Sequence, residues 1–92
     1  SRFAAFKRGD AHWLNRTWHP STRPTDLDLS DNPNWRGLQI LATTAGAETD
    51  DTGVVEFRAT YIASGELQDL PERSRFVREV GRWFYLDGDL LA

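Results

Sequence analysis

Glu72-Arg73-Ser74-Arg75-Phe76-Val77-Arg78-Glu79-Val80, Gly81 and then Arg82-Trp83-Phe84-Tyr85-Leu86-Asp87 is the stretch that decides the fold. Aromatic and β-branched residues interleave with charged ones in both segments, so each reads as a strand, and the single Gly81 between them joins the two as a hairpin. Period two then places Trp83, Tyr85 and Asp87 on one strand face. Glu72, Ser74 and Phe76 share a face of the preceding strand.

The same period continues upstream. Val54 to Ile62 alternates cleanly, with Val55, Phe57, Ala59 and Tyr61 on one side and Glu56, Arg58 and Thr60 on the other. Ser64-Gly65 supplies the turn after it. Leu38 to Thr44 is a further strand, ending in the turn chemistry of Gly46 to Gly53. The second half is therefore expected to be a meander of four antiparallel strands.

The first half has a different period. Phe3 and Phe6 lie at helical spacing, Gly9 is a helix-ending residue, and Asp10 is a candidate N-cap for a second helix. Trp13, Leu14, Thr17 and Trp18 form one stripe of that second helix, which Pro20 stops. From His19 to Pro33, three prolines among Ser, Thr, Asp and Asn predict a long loop, with Leu27 and Leu29 as its anchors on the sheet. Helices followed by a strand meander make an α+β layout. If the four-stranded sheet curls around the N-terminal helices, the space between becomes a cone-shaped pocket.

Composition narrows the function classes. Ninety-two residues make one domain, residues 1–92, burying roughly 60–70 % of the unfolded surface, so four Trp, five Phe and two Tyr must carry the core. Eleven basic against fourteen acidic side chains, net charge -3, lack the clustered basic face of a nucleic-acid binder. No apolar run reaches the ~20 residues of a membrane span and the opening has no signal pattern, so a cytoplasmic protein is expected. The absence of Cys excludes disulfides, thiol nucleophiles and thiolate metal sites. The absence of Met is expected of a chain trimmed from a longer product.

No cofactor and no metal site is expected. His12 and His19 form no first-shell set for zinc. Asp26-Leu27-Asp28-Leu29-Ser30-Asp31 begins like a calcium loop, but its sixth position is Asp31 rather than Gly and its twelfth is Gly37 rather than Glu.

Five groups of residues, in order along nearly the whole chain, carry a resemblance. They are Ser1-Arg2-Phe3 with Ala5-Phe6, Thr17-Trp18-His19-Pro20, Trp35 with Gly37-Leu38, Glu72-Arg73-Ser74-Arg75-Phe76, and Trp83 to Gly88. Together they resemble the YchJ-like bacterial proteins. That resemblance implies a cystatin-like, nuclear transport factor 2-like cone, the fold also used by ketosteroid isomerase and scytalone dehydratase. It also implies SEC-C zinc motifs flanking the domain in relatives, which this chain does not contain, and it brings no catalytic residues with it. Sheets of this fold pair face to face in related proteins, so a homodimer is a further expectation.

Two readings of the pocket follow. The first is a binding module for a small ligand or protein segment, with Trp18, His19, Trp35, Phe57, Ser74 and Tyr85 as binding candidates. The second, by analogy of fold, is an isomerase, dehydratase or cyclase, in which Asp87 or Glu72 is the base and Tyr85 and His19 are donors. Each candidate has a plainer role. Asp87-Gly88 reads as a strand-ending turn, Glu72 as the partner of Arg2 or Arg75, His19 as a helix cap and Trp35 as core. Arg73 and Arg75 suit cross-strand pairing with acids on a solvated face; gathered at the cone mouth, they would favour a carboxylate.

Overall fold

The computed structural model describes residues 1–30, 32–47 and 49–91. Asp31 of the calcium-like stretch, Glu48 of the Gly46–Gly53 turn and Ala92 lie outside the described residues. Two helices, α1 (Arg2–Arg8) and α2 (Ala11–Arg16), precede strands β1 (Asn34–Ala45), β2 (Thr52–Ala63), β3 (Glu66–Glu79) and β4 (Arg82–Leu90). The strands form one antiparallel sheet in the order β1-β2-β3-β4. The α+β layout is the one that the change of period predicts.

Local chemistry explains the helix boundaries. Ser1 Oγ accepts from Ala4 N at 3.2 Å and Asp10 Oδ1 accepts from Trp13 N at 3.0 Å, so each helix has one orphan donor satisfied by its N-cap. The Trp13 N–H, followed by Arg8, holds the Asp10 carboxyl below its ordinary pKa. Gly9 takes the left-handed conformation between the helices, at φ 71°.

Three irregularities bend the sheet. Arg36 and Leu41 in β1 and Leu86 in β4 are extra residues in their ladders: pairing jumps from Trp35–Tyr61 to Gly37–Thr60, from Ile40–Phe57 to Ala42–Glu56, and from Arg75–Asp87 to Phe76–Tyr85. Each such bulge increases local twist and turns the following side chains to the other face. The Leu86 bulge corrects one expectation. Tyr85 stays opposite Phe76, whereas Asp87 stands opposite Arg75 on the reverse face.

The strands also run further than their patterns suggest. β1 begins at Asn34, β3 at Glu66, and β4 continues through Asp87-Gly88 to Leu90, so that dipeptide is not a turn. Pro71 is tolerated inside β3 because its carbonyl faces the β4 side, accepting from Leu91 N at 2.9 Å. Its missing N–H points the same way, where β4 ends.

The 19–33 loop is tied down by polar groups. Arg23 donates to Trp18 O through Nε and Nη2, at 3.1 and 2.8 Å, and Thr22 Oγ1 donates to Leu86 O. Asn32 donates to Phe6 O and accepts from Trp35 Nε1 at 2.9 Å. Leu27 and Leu29, the expected anchors, are half-buried.

Ser64-Gly65 and Val80-Gly81 make two-residue hairpin turns with positive φ at both positions, 52° and 77° in the first and 52° and 73° in the second. Such a turn favours Asn-Gly. A β-branched residue is disfavoured there, and Val80 is fully exposed, so it gains no packing in return. Val80→Asn should stabilise the fold by about 1 kcal/mol, read as a raised urea midpoint at constant slope; an unchanged or lowered midpoint would refute the strain.

Candidate functional site

Between the helices and the concave face of the sheet lies a cavity of about 360 Å³. Its size falls within the usual range for small-molecule sites, about 300–1,000 Å³. Val55, Phe57, Ala59 and Leu70 form its apolar floor, Phe3 and Phe6 of α1 roof it, and Trp18 and Trp35 stand at its sides. Leu38 and Ile40 belong to the same lining yet remain 40 % and 53 % exposed, so the cone opens along β1.

The aromatic walls brace one another edge to face. Trp35 meets Phe3 at 6.2 Å and Tyr61 at 5.6 Å between ring centres, while Trp18 meets Tyr85 at 5.0 Å and Phe76 meets Tyr85 at 5.8 Å. A second cavity of about 430 Å³, near the Gly46–Gly53 turn, is walled by Trp83 and shares Val55 and Phe76 with the first.

Period two brings Glu72, Ser74, Phe76 and Tyr85 to the cavity. Ser74, 2 % exposed, donates to Glu72 Oε2 at 2.6 Å, which fixes the carboxylate. Glu72 makes no ion pair among the described residues, neither with Arg2 nor with Arg75. Burial, followed by the negative charge of Glu72, raises the pKa of Tyr85. Gly88 gives these groups room. A Cβ there would lie 2.9 Å from Glu72 Oε2 and 3.1 Å from both Tyr85 Oη and the Arg73 carbonyl.

Asp87 and His19 are placed elsewhere. Asp87 pairs with Arg75 Nε at 2.5 Å on the convex face, where Arg75 also meets Asp89 at 2.7 Å and Arg73 meets Glu56 at 2.8 Å. The Asp89 hydrogen bond, then that of Asp87, raises the pKa of Arg75. Arg73 and Arg75 therefore do not gather at the mouth. His19 follows Trp18 in an extended segment that pairs with β4, and alternation sends Trp18 inward and His19 outward. The Ser21 N–H donates to His19 Nδ1 at 3.1 Å, so Nε2 carries the proton and donates to Glu79 at 2.7 Å; neither nitrogen caps a helix.

Arg2 is the site residue that the strand patterns do not reveal. Its guanidinium carbon lies 3.5 Å from the centre of the Tyr85 ring, 4.7 Å from that of Trp18 and 5.3 Å from that of Phe6. Contacts of this kind contribute roughly 0.5–2 kcal/mol each. Burial lowers its pKa, with Tyr85 and Glu72 opposing. The available signal was its helical phase, because Arg2, Ala5 and Phe6 fall at i, i+3 and i+4 on the inward stripe of α1.

Among the described residues, no three His, Asp or Glu side chains come close enough to hold a metal, and no helix is long and apolar enough to cross a membrane. Gly88→Ala should destabilise the fold by about 1–3 kcal/mol, since the Arg73 carbonyl cannot yield as a side chain can. Urea denaturation measures it, and an unchanged midpoint would mean that the Arg73 carbonyl does not crowd Gly88.

A family described as "YchJ, middle NTF2-like domain" matches residues 1–88. A UPF0225 protein of Streptomyces coelicolor is 50 % identical over 91 residues, covering 99 % of this chain and 70 % of the relative. One from Streptomyces avermitilis is 49 % identical over 89 residues, covering 97 % and 61 %. The chain thus spans 61–70 % of the length of these two relatives. The solution structure of a SEC-C motif containing protein from Rhodopseudomonas palustris superposes with a TM-score of 0.83 at 26 % identity, over 99 % of this chain and 73 % of that one. A crystal structure of a SEC-C motif containing protein from Psychrobacter arcticus gives 0.76 at 24 % identity, over 99 % and 57 %, and shows the fold alone.

Proposed function

This chain belongs to the YchJ middle-domain family, whose fold is NTF2-like, and from that premise we propose that it is a binding module whose cone takes up a small ligand or a short protein segment. The observation that carries this reading is the unfilled cavity of about 360 Å³, walled by aromatic rings that pack on each other and leave its centre empty. Leu38 and Ile40, apolar but half-exposed at its rim, would gain roughly 25 cal/mol for each Å² that an occupant covers. The proposed setting is the bacterial cytoplasm, where a chain without cysteine is indifferent to reducing conditions.

Titration with a library of small apolar-bodied fragments, followed by amide and indole chemical shifts, tests the reading. Shifts should concentrate at Phe57, Ser74 and the Trp35 indole and spare Arg73 and Arg75 on the convex face. A library that moves neither the cone nor its rim would defeat the proposal.

One observation favours a second reading, a proton-transfer enzyme. Glu72, oriented by Ser74, and Tyr85 front the same cavity, so the carboxylate would be the base and the phenol the donor to a developing oxyanion. Asp87 and His19 take no part in it. The domain should then catalyse deuterium exchange at the carbon beside the carbonyl of a small ketone, and Glu72→Gln should abolish that catalysis. Equal rates with and without protein would remove this reading.

A further inference from the structure

Among the described residues the Arg2 guanidinium has neither an ion-pair partner within 4 Å nor a hydrogen-bond acceptor, and its Nη1 is fully covered. The Trp18 indole Nε1 is likewise covered and unpartnered. Buried donors without acceptors cost about 1–3 kcal/mol each, more when charged, and native structures rarely keep them without a reason. Here both residues line the cavity, with the guanidinium carbon 4.7 Å from the centre of the Trp18 ring. Trp35, on the opposite wall, shows the contrast, since its indole N–H is satisfied by Asn32.

We infer that the cavity recognises its ligand by a carboxylate, gripped by the Arg2 guanidinium and the Trp18 indole, with a small apolar body lying on Phe57, Val55 and Leu70. This deepens the binding reading and rests on it. A guanidinium presents a planar fork of donors that matches two carboxylate oxygens, and clamping between aromatic faces holds that fork in place before the ligand arrives. Arg2 and Trp18 both line the cavity, and because the Arg2 Nη1 and Trp18 Nε1 atoms are covered, the two side chains must turn toward a carboxylate seated there to grip it. The lowered pKa of Arg2 agrees with a charge that is buried without a close counter-ion. Glu72 offsets that charge at a distance, one of its oxygens being held by Ser74. A hydroxyl or amine beside the ligand carboxylate would find its acceptor in Glu72.

The test compares hydrocinnamate, hydrocinnamamide and phenylpropylamine, which share a phenylalkyl body and differ in the head group, by chemical-shift titration of the wild-type chain. Hydrocinnamate should bind at least about tenfold more tightly than the amide, the scale of a charge-assisted hydrogen bond. Arg2→Gln should bring the two to near equality. Trp18→Phe, which keeps an aromatic ring and removes the N–H, should lower the ratio of acid to amide affinity several-fold. Spectral dispersion reports whether each variant is folded, and if Arg2→Gln is not, Arg2→Lys, which keeps the charge and loses the fork, replaces it.

Equal binding of acid and amide in the cone would overturn the carboxylate inference while leaving the binding module intact. So would tightest binding of the amine, which would make Glu72 the governing group, or a preference that survives in folded Arg2→Gln or is undiminished in Arg2→Lys. If none of the three probes perturbs the cone, the binding reading falls as well.

Discussion

Two backbone hydrogen bonds at Tyr85 hold the molecule in its arched shape. Tyr85 N donates to Thr17 O at 2.9 Å and His19 N donates to Tyr85 O at 2.8 Å, so the segment leaving α2 is stitched to β4 as a short parallel edge. At the other margin Phe3 and Phe6 of α1 pack on Trp35 of β1. The helical layer is thereby fastened at both edges of a sheet that its bulges curve. A layer pinned at two margins over a concave surface encloses space, and the cavity follows from that.

The alternation of side chains then sorts chemistry between the two faces. Along β3, Leu70, Glu72, Ser74 and Phe76 point into the cone, while Arg73 and Arg75 point out and find Glu56, Asp87 and Asp89. Exposed pairs of that kind contribute little stability each. They line the convex face of β3 with charge, while Leu38 and Ile40 leave apolar surface part-exposed at the concave rim; Leu41, Leu67, Val80 and Leu90 are exposed outside the cavity. The one aromatic among the exposed large apolar side chains, Trp83, walls the second cavity.

Much of this was legible without coordinates. The cap at Asp10, the helix-ending Gly9, the hairpin at Gly81 and the clean alternation of β2 are local features, decided by residues a few positions apart. The inward set of Phe57, Ser74 and Tyr85 follows from the same period. What escaped the pattern was a displacement of one residue. Nothing about Leu86 marks it as a bulge, because a bulge is a property of two strands paired together. That single offset carries Asp87 away from Tyr85 and leaves Glu72 as the carboxylate within the cone. Arg2 escaped for a related reason, since a charged residue at a helix start ordinarily reads as solvated.

Sequence alone determined the order of elements, their period and hence which residues could share a face, because these depend on backbone preferences and spacing within each segment. Tertiary structure decided register across β3 and β4, the burial of Arg2 beneath three aromatic rings, and the outward turn of His19. Each of these depends on a partner distant along the chain, whose position is set only when the helical layer closes over the sheet.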